Sequence, residues 1–363
     1  MPNPDGSSHY APDAATLRRR LLPLLAARGP SGYEEEPVRA WVELAGEFAD
    51  VHVDPLGSGH AVVNPGSTPR ITLIGHIDEI GLSVSHIDDA GRLWAVSIGC
   101  WDAAILYGQH VVVLAEDGRV PGVIGTAPPH LNDEDSSPKM ADLWIDIGAT
   151  SRADAQSVIT VGDPVVFGAS PVDLLNGRIA APALDNRLGA LAVLEAARAA
   201  AAASVTAEIS VVASVREETS YHGAMGAVYA TNPNFALAID TTFASDIPQD
   251  GIERKTGDHR LGSGPAIGRG AVTDEPMARS LRRLAKELEI PYTIEAYGDE
   301  SGSDADAMAA VAAGIRCGVL NIPIRHMHSS GEVADLADLA GTIDLAAAFC
   351  LAGGDPMRPM REP

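Results

Sequence analysis

Apolar residues recur at helical spacing near the start of the chain, at Leu17, Leu21, Leu22, Leu24 and Leu25, and again in EPVRAWVELAGEF after the break RGPSGYEEE. The pattern predicts helices between about Ala14 and Phe48. DVHVDPLGSGHAVV and RITLIGH then read as two or three short strands. From about residue 86 to 176 helical periodicity disappears and the chain reads as hairpins. HVVVLAEDGRVPGVIG sets Asp117-Gly118 between two valine-rich arms, and GDPVVFGAS is a strand bounded by turn residues. After Asn176-Gly177 strands and helices alternate. DNRLGALAVLEAARAAAAA, EPMARSLRRLAKELEI, AMAAVAAGI and LADLAGTIDLAAAFCLA have helical character, while AEISVVASV, NFALAID and RCGVLNIPI are continuous apolar strands. Strands without polar alternation, set between helices, belong to a sheet covered on both faces. The expected fold class is α/β, with one domain made from residues 10–85 and 177–355 and an inserted β-rich domain over 86–176.

Composition narrows the partners. The 363 residues carry 49 acidic against 26 basic side chains, a formal charge of -23, which disfavours nucleic acid and anionic membrane surfaces. No run approaches the ~20 apolar residues that span a bilayer, and the first 25 residues hold no long apolar stretch of the kind a leader uses. Cys100, Cys317 and Cys350 are widely spaced, form no CxxC pair, and read as reduced thiols. The expectation is a cytoplasmic protein.

Ligands of open α/β sheets bind beyond the carboxyl ends of the strands, so the residues that follow each apolar strand are the candidates for chemistry. After ITLI comes Gly75-His76-Ile77-Asp78; after ISVVASV come Glu217 and Glu218; FALAI runs into Asp240; and CGVLNIPI runs into RHMHSSGE with His326 and His328. Asp185 stands before the strongest helix, in the position of an N-cap. Each has an ordinary structural explanation, as turn former, cap or satisfied histidine. Their coincidence at one edge of one sheet points instead to a divalent-metal centre, since imidazoles and carboxylates without cysteine suit Zn²⁺, Co²⁺ or Mn²⁺. The motif HID occurs twice, and His86-Asp88 leads into a turn, so His76 is the candidate ligand and His86 a surface hairpin residue. Asp78, two residues on, is placed to hold the His76 ring. Glu217 and Glu218, at a strand end, are expected to point to opposite sides.

With these residues assembled the chain resembles the M42 metallo-aminopeptidases, the group that includes the tetrahedral, self-compartmentalising enzymes. The matching pieces are GHIDEIG, WIDIGATSRADAQSVITVGDPV, ALDNRLGALAVLEAAR, VREETSYHGAMGA, AIDTT, SGSDADAM and RHMHSSGE, in family order over nearly the whole chain. The resemblance implies a mixed-sheet catalytic domain of the co-catalytic zinc aminopeptidase type with an inserted PDZ-like β-barrel used in assembly. It implies two divalent ions per subunit, zinc or cobalt before manganese. His76, Asp185 and Asp240 would hold one ion, and Asp185, Glu218 and His328 the other. Glu217 would be the general base, with Asp78 beside it as a second catalytic residue. Oligopeptide substrates and homo-oligomers from dimer to dodecamer follow as expectations. Ser220, Tyr221 and His222 depart from the family pattern, as do Ser303 and His326; these leave the ligand set intact but bear on the substrate pocket. Asp304 and Asp306 are candidates near that pocket. Competing readings are a di-metal deacylase or dipeptidase with the same ligands, a metal-independent glycosidase, and a non-catalytic peptide-binding scaffold.

Overall fold

The computed structural model describes residues 9–128 and 138–354, so residues 129–137 of the hairpin-rich stretch and residue 355 fall outside the description. Helices α1 (Ala14–Ala26) and α2 (Glu35–Ala45) precede strands β1 (Asp50–Val53), β2 (Gly59–Val63) and β3 (Arg70–His76). In α1 the buried residues are Leu17, Leu21, Leu24 and Leu25, one face of a 3.6-residue repeat. Asp13 starts the helix by accepting from the Thr16 amide at 2.8 Å.

The chain then builds a closed barrel from β4 (Gly81–Ile87), β5 (Leu93–Ile98), β6 (His110–Ala115), β7 (Gly118–Gly125), β8 (Trp144–Asp146) and β9 (Pro164–Phe167), with the short α3 (Arg152–Gln156) between the last two. The order around it is β4-β5-β8-β7-β6-β9, antiparallel throughout. Leu82, Val84, Leu93, Val111, Val113, Ile124, Ile145 and Val165 fill it, while alternate positions such as Val96 and Val123 face outward. His86 is an exposed residue of β4 opposite Trp94.

Past the barrel follow β10 (Val172–Asp173), β11 (Arg178–Ala181), α4 (Leu184–Ala202), β12 (Glu208–Ser214), α5 (Glu217–Ser220), α6 (His222–Thr231), β13 (Phe235–Phe243), α7 (Glu253–Thr256), β14 (Ala266–Gly270), α8 (Glu275–Glu287), β15 (Thr293–Tyr297), α9 (Asp304–Met308), β16 (Cys317–Arg325), β17 (Glu332–Asp335) and α10 (Leu336–Leu351). The large sheet runs β1-β2-β12-β3-β13-β16-β17-β11-β10, with β14 paired to β16 and β15 to β14. Its centre, β12-β3-β13-β16, is parallel and its flanks are largely antiparallel, a mixed sheet. Burial on both faces explains the unbroken apolar strands. Ile71, Leu73, Leu237 and Ile239 pack into the core that holds α1, α4, α8 and α10, whereas Ile74, Ala236 and Ala238 pack on the other side with α6 and α9. Among the described residues no helix is long and apolar enough to cross a membrane.

Two elements differ from the sequence pattern. The run AMAAVAAGI does not continue as a helix. The helix starts earlier, with Ser303 as its N-cap, and ends at Met308; beyond it Ala312 and Gly314 have positive φ (54° and 98°), which keeps the alanine-rich run from forming a helix there. Strand β12 ends at Ser214, and Arg216 (φ 61°) turns the chain so that Glu217 and Glu218 open the helical turn α5. Their side chains therefore diverge by the ~100° step of a helix, not by the alternation of a strand.

Candidate metal centre

The centre forms where the carboxyl ends of the parallel strands meet the start of α4. His76 ends β3, in register with Ser214 at the end of β12. Asp240 lies on β13 two residues past the last β3 pair, Ala238 with Ile74, and so is level with His76. The helix can come this close because Gly75 has no side chain: a Cβ there would stand 2.5 Å from the carbonyl carbon of Gly189 and 2.7 Å from the Ala190 nitrogen.

Asp185 is not the N-cap that its position in the sequence predicts. Its backbone is extended (φ -78°, ψ 104°), and Asn186 caps the helix by accepting from the Gly189 amide at 2.8 Å while donating to the Ile239 carbonyl at 2.8 Å. A second polar residue thus satisfies the helix start and leaves the Asp185 carboxylate to the site.

That carboxylate spans two imidazoles. Oδ1 is 3.2 Å from His76 Nε2 and Oδ2 is 3.4 Å from His328 Nε2. His76 Nε2 also lies 3.5 Å from Asp240 Oδ1 and 3.7 Å from Glu217 Oε2, and His328 Nε2 lies 3.4 Å from Glu218 Oε1. Three groups of donor atoms result, each within 4.8 Å of one another: His76, Asp185 and Asp240; Asp185, Glu218 and His328; and His76, Glu217 and Glu218. All the candidate ligands named from the sequence meet here, with Asp185 common to the first two groups. Exposed His326 does not join them.

Two buried carboxylates hold these donors from behind. Asp78 Oδ1 is 3.4 Å from His76 Nδ1 and accepts from the Glu217 amide at 3.2 Å; Oδ2 accepts from the Glu218 amide at 3.2 Å and from the Ser31 hydroxyl at 2.6 Å. Glu332 accepts from the His328 amide at 2.7 Å and the Asp185 amide at 3.0 Å. Neither Glu332 nor Ser31 emerges from the sequence as a site residue. Glu332 closes the motif that contains His328, and its four-residue spacing is a faint signal; Ser31, in the loop between α1 and α2, carries none. Asp304 is buried and accepts from the Ser214 hydroxyl at 2.6 Å with one oxygen. Asp306 instead holds its own loop, taking the amides of Ser301 and Gly302.

Electrostatics follow from putting so many acids in one buried place. Burial opposes the charge on His76, but Glu217, Asp240 and Asp185 overcome it and raise the imidazole well above its usual range. His328 is pushed up to about 11 by Asp185 and Glu218 against the same penalty. Asp185 is depressed, because its bonds to both histidines outweigh burial. Glu217 moves the other way: burial first, then Asp240, Asp304 and Glu218, raise its carboxyl well above the ordinary value, with His76 opposing. Burial likewise lifts Asp304 to about 7.

Known proteins are similar to this chain in sequence and in fold. The family model for the M42 glutamyl aminopeptidases matches residues 57–345. A lysyl aminopeptidase of Pyrococcus furiosus is 35% identical over 344 residues, covering 93% of this chain and 96% of that protein. Among solved structures, a TET aminopeptidase from a marine-sediment archaeon of the Thaumarchaeota superposes with a TM-score of 0.88 at 32% identity, covering 93% of this chain and 96% of the other. The TET1 peptidase of Pyrococcus horikoshii, which can assemble into a tetrahedron or a large octahedral shell, superposes with a TM-score of 0.82 at 32% identity, covering 92% and 99%.

Proposed function

Because this chain belongs to the M42 aminopeptidase family and is a peptidase, we propose that it removes N-terminal residues from oligopeptides at a centre of two divalent ions. The observation that carries the reading is the Asp185 carboxylate set between His76 and His328, one oxygen toward each. The donor set fits the ions: imidazole nitrogens and carboxylate oxygens without thiolate suit zinc or cobalt, then manganese. His76, Asp185 and Asp240 would hold one ion and Asp185, Glu218 and His328 the other. When bound, such ions supply Lewis acidity, lowering the pKa of water and polarising a scissile carbonyl.

The protein's own part is proton transfer and alignment. Glu217 belongs to neither of the two groups joined by Asp185, and its elevated proton affinity suits a general base that takes a proton from the attacking water and returns it to the leaving amine. Asp78 faces the Nδ1 edge of the His76 ring at 3.4 Å and, by accepting from two backbone amides, fixes the Glu217–Glu218 turn beside that ring. A helical turn serves here because consecutive side chains leave it in different directions, so Glu217 faces His76 while Glu218 faces His328.

Homo-oligomeric assembly and a reducing, cytoplasmic setting complete the proposal. They are supported by the assembling TET relatives and by three free cysteines among the described residues. The test is a screen of aminoacyl and oligopeptide substrates, with N-acylated amino acids alongside, on chelator-stripped protein re-supplied with Zn²⁺, Co²⁺ or Mn²⁺. Metal-dependent cleavage of free-amine substrates is the expected result. Turnover of N-acyl substrates alone would reassign the chain to the deacylases. Activity toward sugars that survives the chelator would indicate a glycosidase, and two bound ions without any turnover a scaffold.

A further inference from the structure

The two backing carboxylates are not equivalent. Asp78 touches His76 and both glutamates, whereas Glu332 reaches only Asp185 and His328, and does so through their backbone amides. Those two residues need such support. His328 has φ 60°, a left-handed conformation that is costly for a non-glycine residue, and Asp185 has non-helical backbone angles among the first residues of α4. One buried side chain thus ties the loop after β16 to the start of α4, elements brought together only by the fold. It holds two of the three donors in the Asp185, Glu218 and His328 group and a single donor, Asp185, in the His76, Asp185 and Asp240 group.

We infer that Glu332 is a positioning residue that preorganises the Asp185–Glu218–His328 half of the centre, so that its loss weakens that ion site selectively. The inference rests on the di-metal reading above. A glutamine at 332 has one acceptor oxygen and one amino group, so it keeps one amide and sets a donor against the other. Removing support of this kind lowers metal affinity by about 10- to 100-fold in known sites.

The test is calorimetric titration of Zn²⁺ into chelator-stripped full-length protein, with bound metal counted by elemental analysis. Wild type is expected to take two equivalents. Glu332→Gln is expected to take the first with affinity within about threefold of wild type and the second 10- to 100-fold more weakly. Apo Glu332→Gln is expected to unfold somewhat below apo wild type, since one buried amide loses its acceptor, while the loss of metal affinity stays confined to the second ion. Glu332→Asp keeps the charge but retracts it by one methylene, so it cannot span both amides and carries the same expectation for metal; it decides the matter if the glutamine variant does not fold. Unchanged affinity for both ions, equal weakening of both, or a loss of apo stability with metal affinity intact would each overturn the inference. If wild type itself takes up no second ion, the di-metal reading falls and this inference with it. A failure confined to the variants leaves that reading standing.

Discussion

Gly75→Ala tests whether the contact between β3 and α4 sets the geometry of the centre. The added Cβ would lie 2.5 Å from the Gly189 carbonyl carbon and 2.7 Å from both the Gly189 oxygen and the Ala190 nitrogen. Carbon atoms pack at about 3.5 to 4.0 Å, so strand and helix must separate by roughly 1 Å. Neither side yields easily. β3 is hydrogen-bonded to β12 on one side and β13 on the other, and α4 is buried along most of its length. Tilting the helix meets a second obstacle at Gly189, whose own Cβ position is 2.3 Å from the Ile239 carbonyl oxygen. The atoms in conflict are backbone atoms, without a rotamer to escape into, which places the cost at the upper end of the usual overpacking range, about 3 kcal/mol. The displacement falls between His76, the next residue, and Asp185, four residues before Gly189, so the 3.2 Å approach of these two side chains widens as well. Urea denaturation followed by circular dichroism should show a lower midpoint, and zinc uptake by the stripped protein should weaken in parallel. A midpoint equivalent to less than about 0.5 kcal/mol of destabilisation, the scatter of neutral surface changes, together with unchanged zinc uptake, would refute the reasoning.

Glu217→Gln is expected to keep both ions and lose peptidase activity by two to four orders of magnitude, about the size of a general-base contribution, whereas Glu218→Gln weakens metal binding; equal metal loss in the two, by elemental analysis, contradicts the division of roles. Asp338, buried and accepting from the Gly262 and Gly264 amides, has a carboxyl that burial lifts to about 7 against those amides. A folded-state value above the unfolded ~3.9 means stability that is complete below about pH 4 and is lost as pH rises through 7. Asp338→Asn should therefore gain on wild type between pH 5 and pH 8; each tenfold change in proton affinity is worth ~1.4 kcal/mol, which sets a ceiling of a few kcal/mol on the gain. A gap in urea midpoints that is the same at both pH values rules this out. Removing metal with a chelator should lower the thermal midpoint, since an ion at 100 times its Kd contributes about 2.7 kcal/mol; a midpoint indifferent to chelator and to added zinc would show that the donors hold no ion.

Much of the catalytic layer was legible in the sequence because its signals are local. The apolar runs of β3, β12, β13 and β16 are continuous since each strand faces helices on both sides, and the chemistry-bearing residues follow directly where those runs end. What stayed hidden depends on backbone conformation or on distant pairing. The left-handed Arg216 that turns Glu217 and Glu218 out of the strand has no residue-type signature, arginine being an unusual choice there. The exchange of roles between Asp185 and Asn186 is invisible because both are good caps, and only the Ile239 carbonyl and the closeness of β3 decide between them. Ser31 reaches Asp78 from a loop 47 residues away in sequence, a contact created by the fold alone.

The balance of charge in the centre explains why its donors are held from behind. Asp78, Asp185, Glu217, Glu218, Asp240, Asp304 and Glu332 converge on two histidines, and nearly all are buried. Like charges in a medium of low polarity repel far more than in water, so without support these side chains would swing apart toward solvent. The supports seen here are mostly backbone amides and hydroxyls: the amides of Glu217, Glu218, Asp185 and His328, and the hydroxyls of Ser31 and Ser214. Dipoles of this kind orient a carboxylate without cancelling its charge, as a lysine or arginine at the same place would. The buried Arg187 is turned away and engaged by Glu79 and the carbonyls of Leu24 and Ala27. Without ions the crowded carboxylates are offset by protons, held on the two raised histidines and on carboxyls whose proton affinity burial lifts, so divalent cations entering the centre would displace those protons and take over their role.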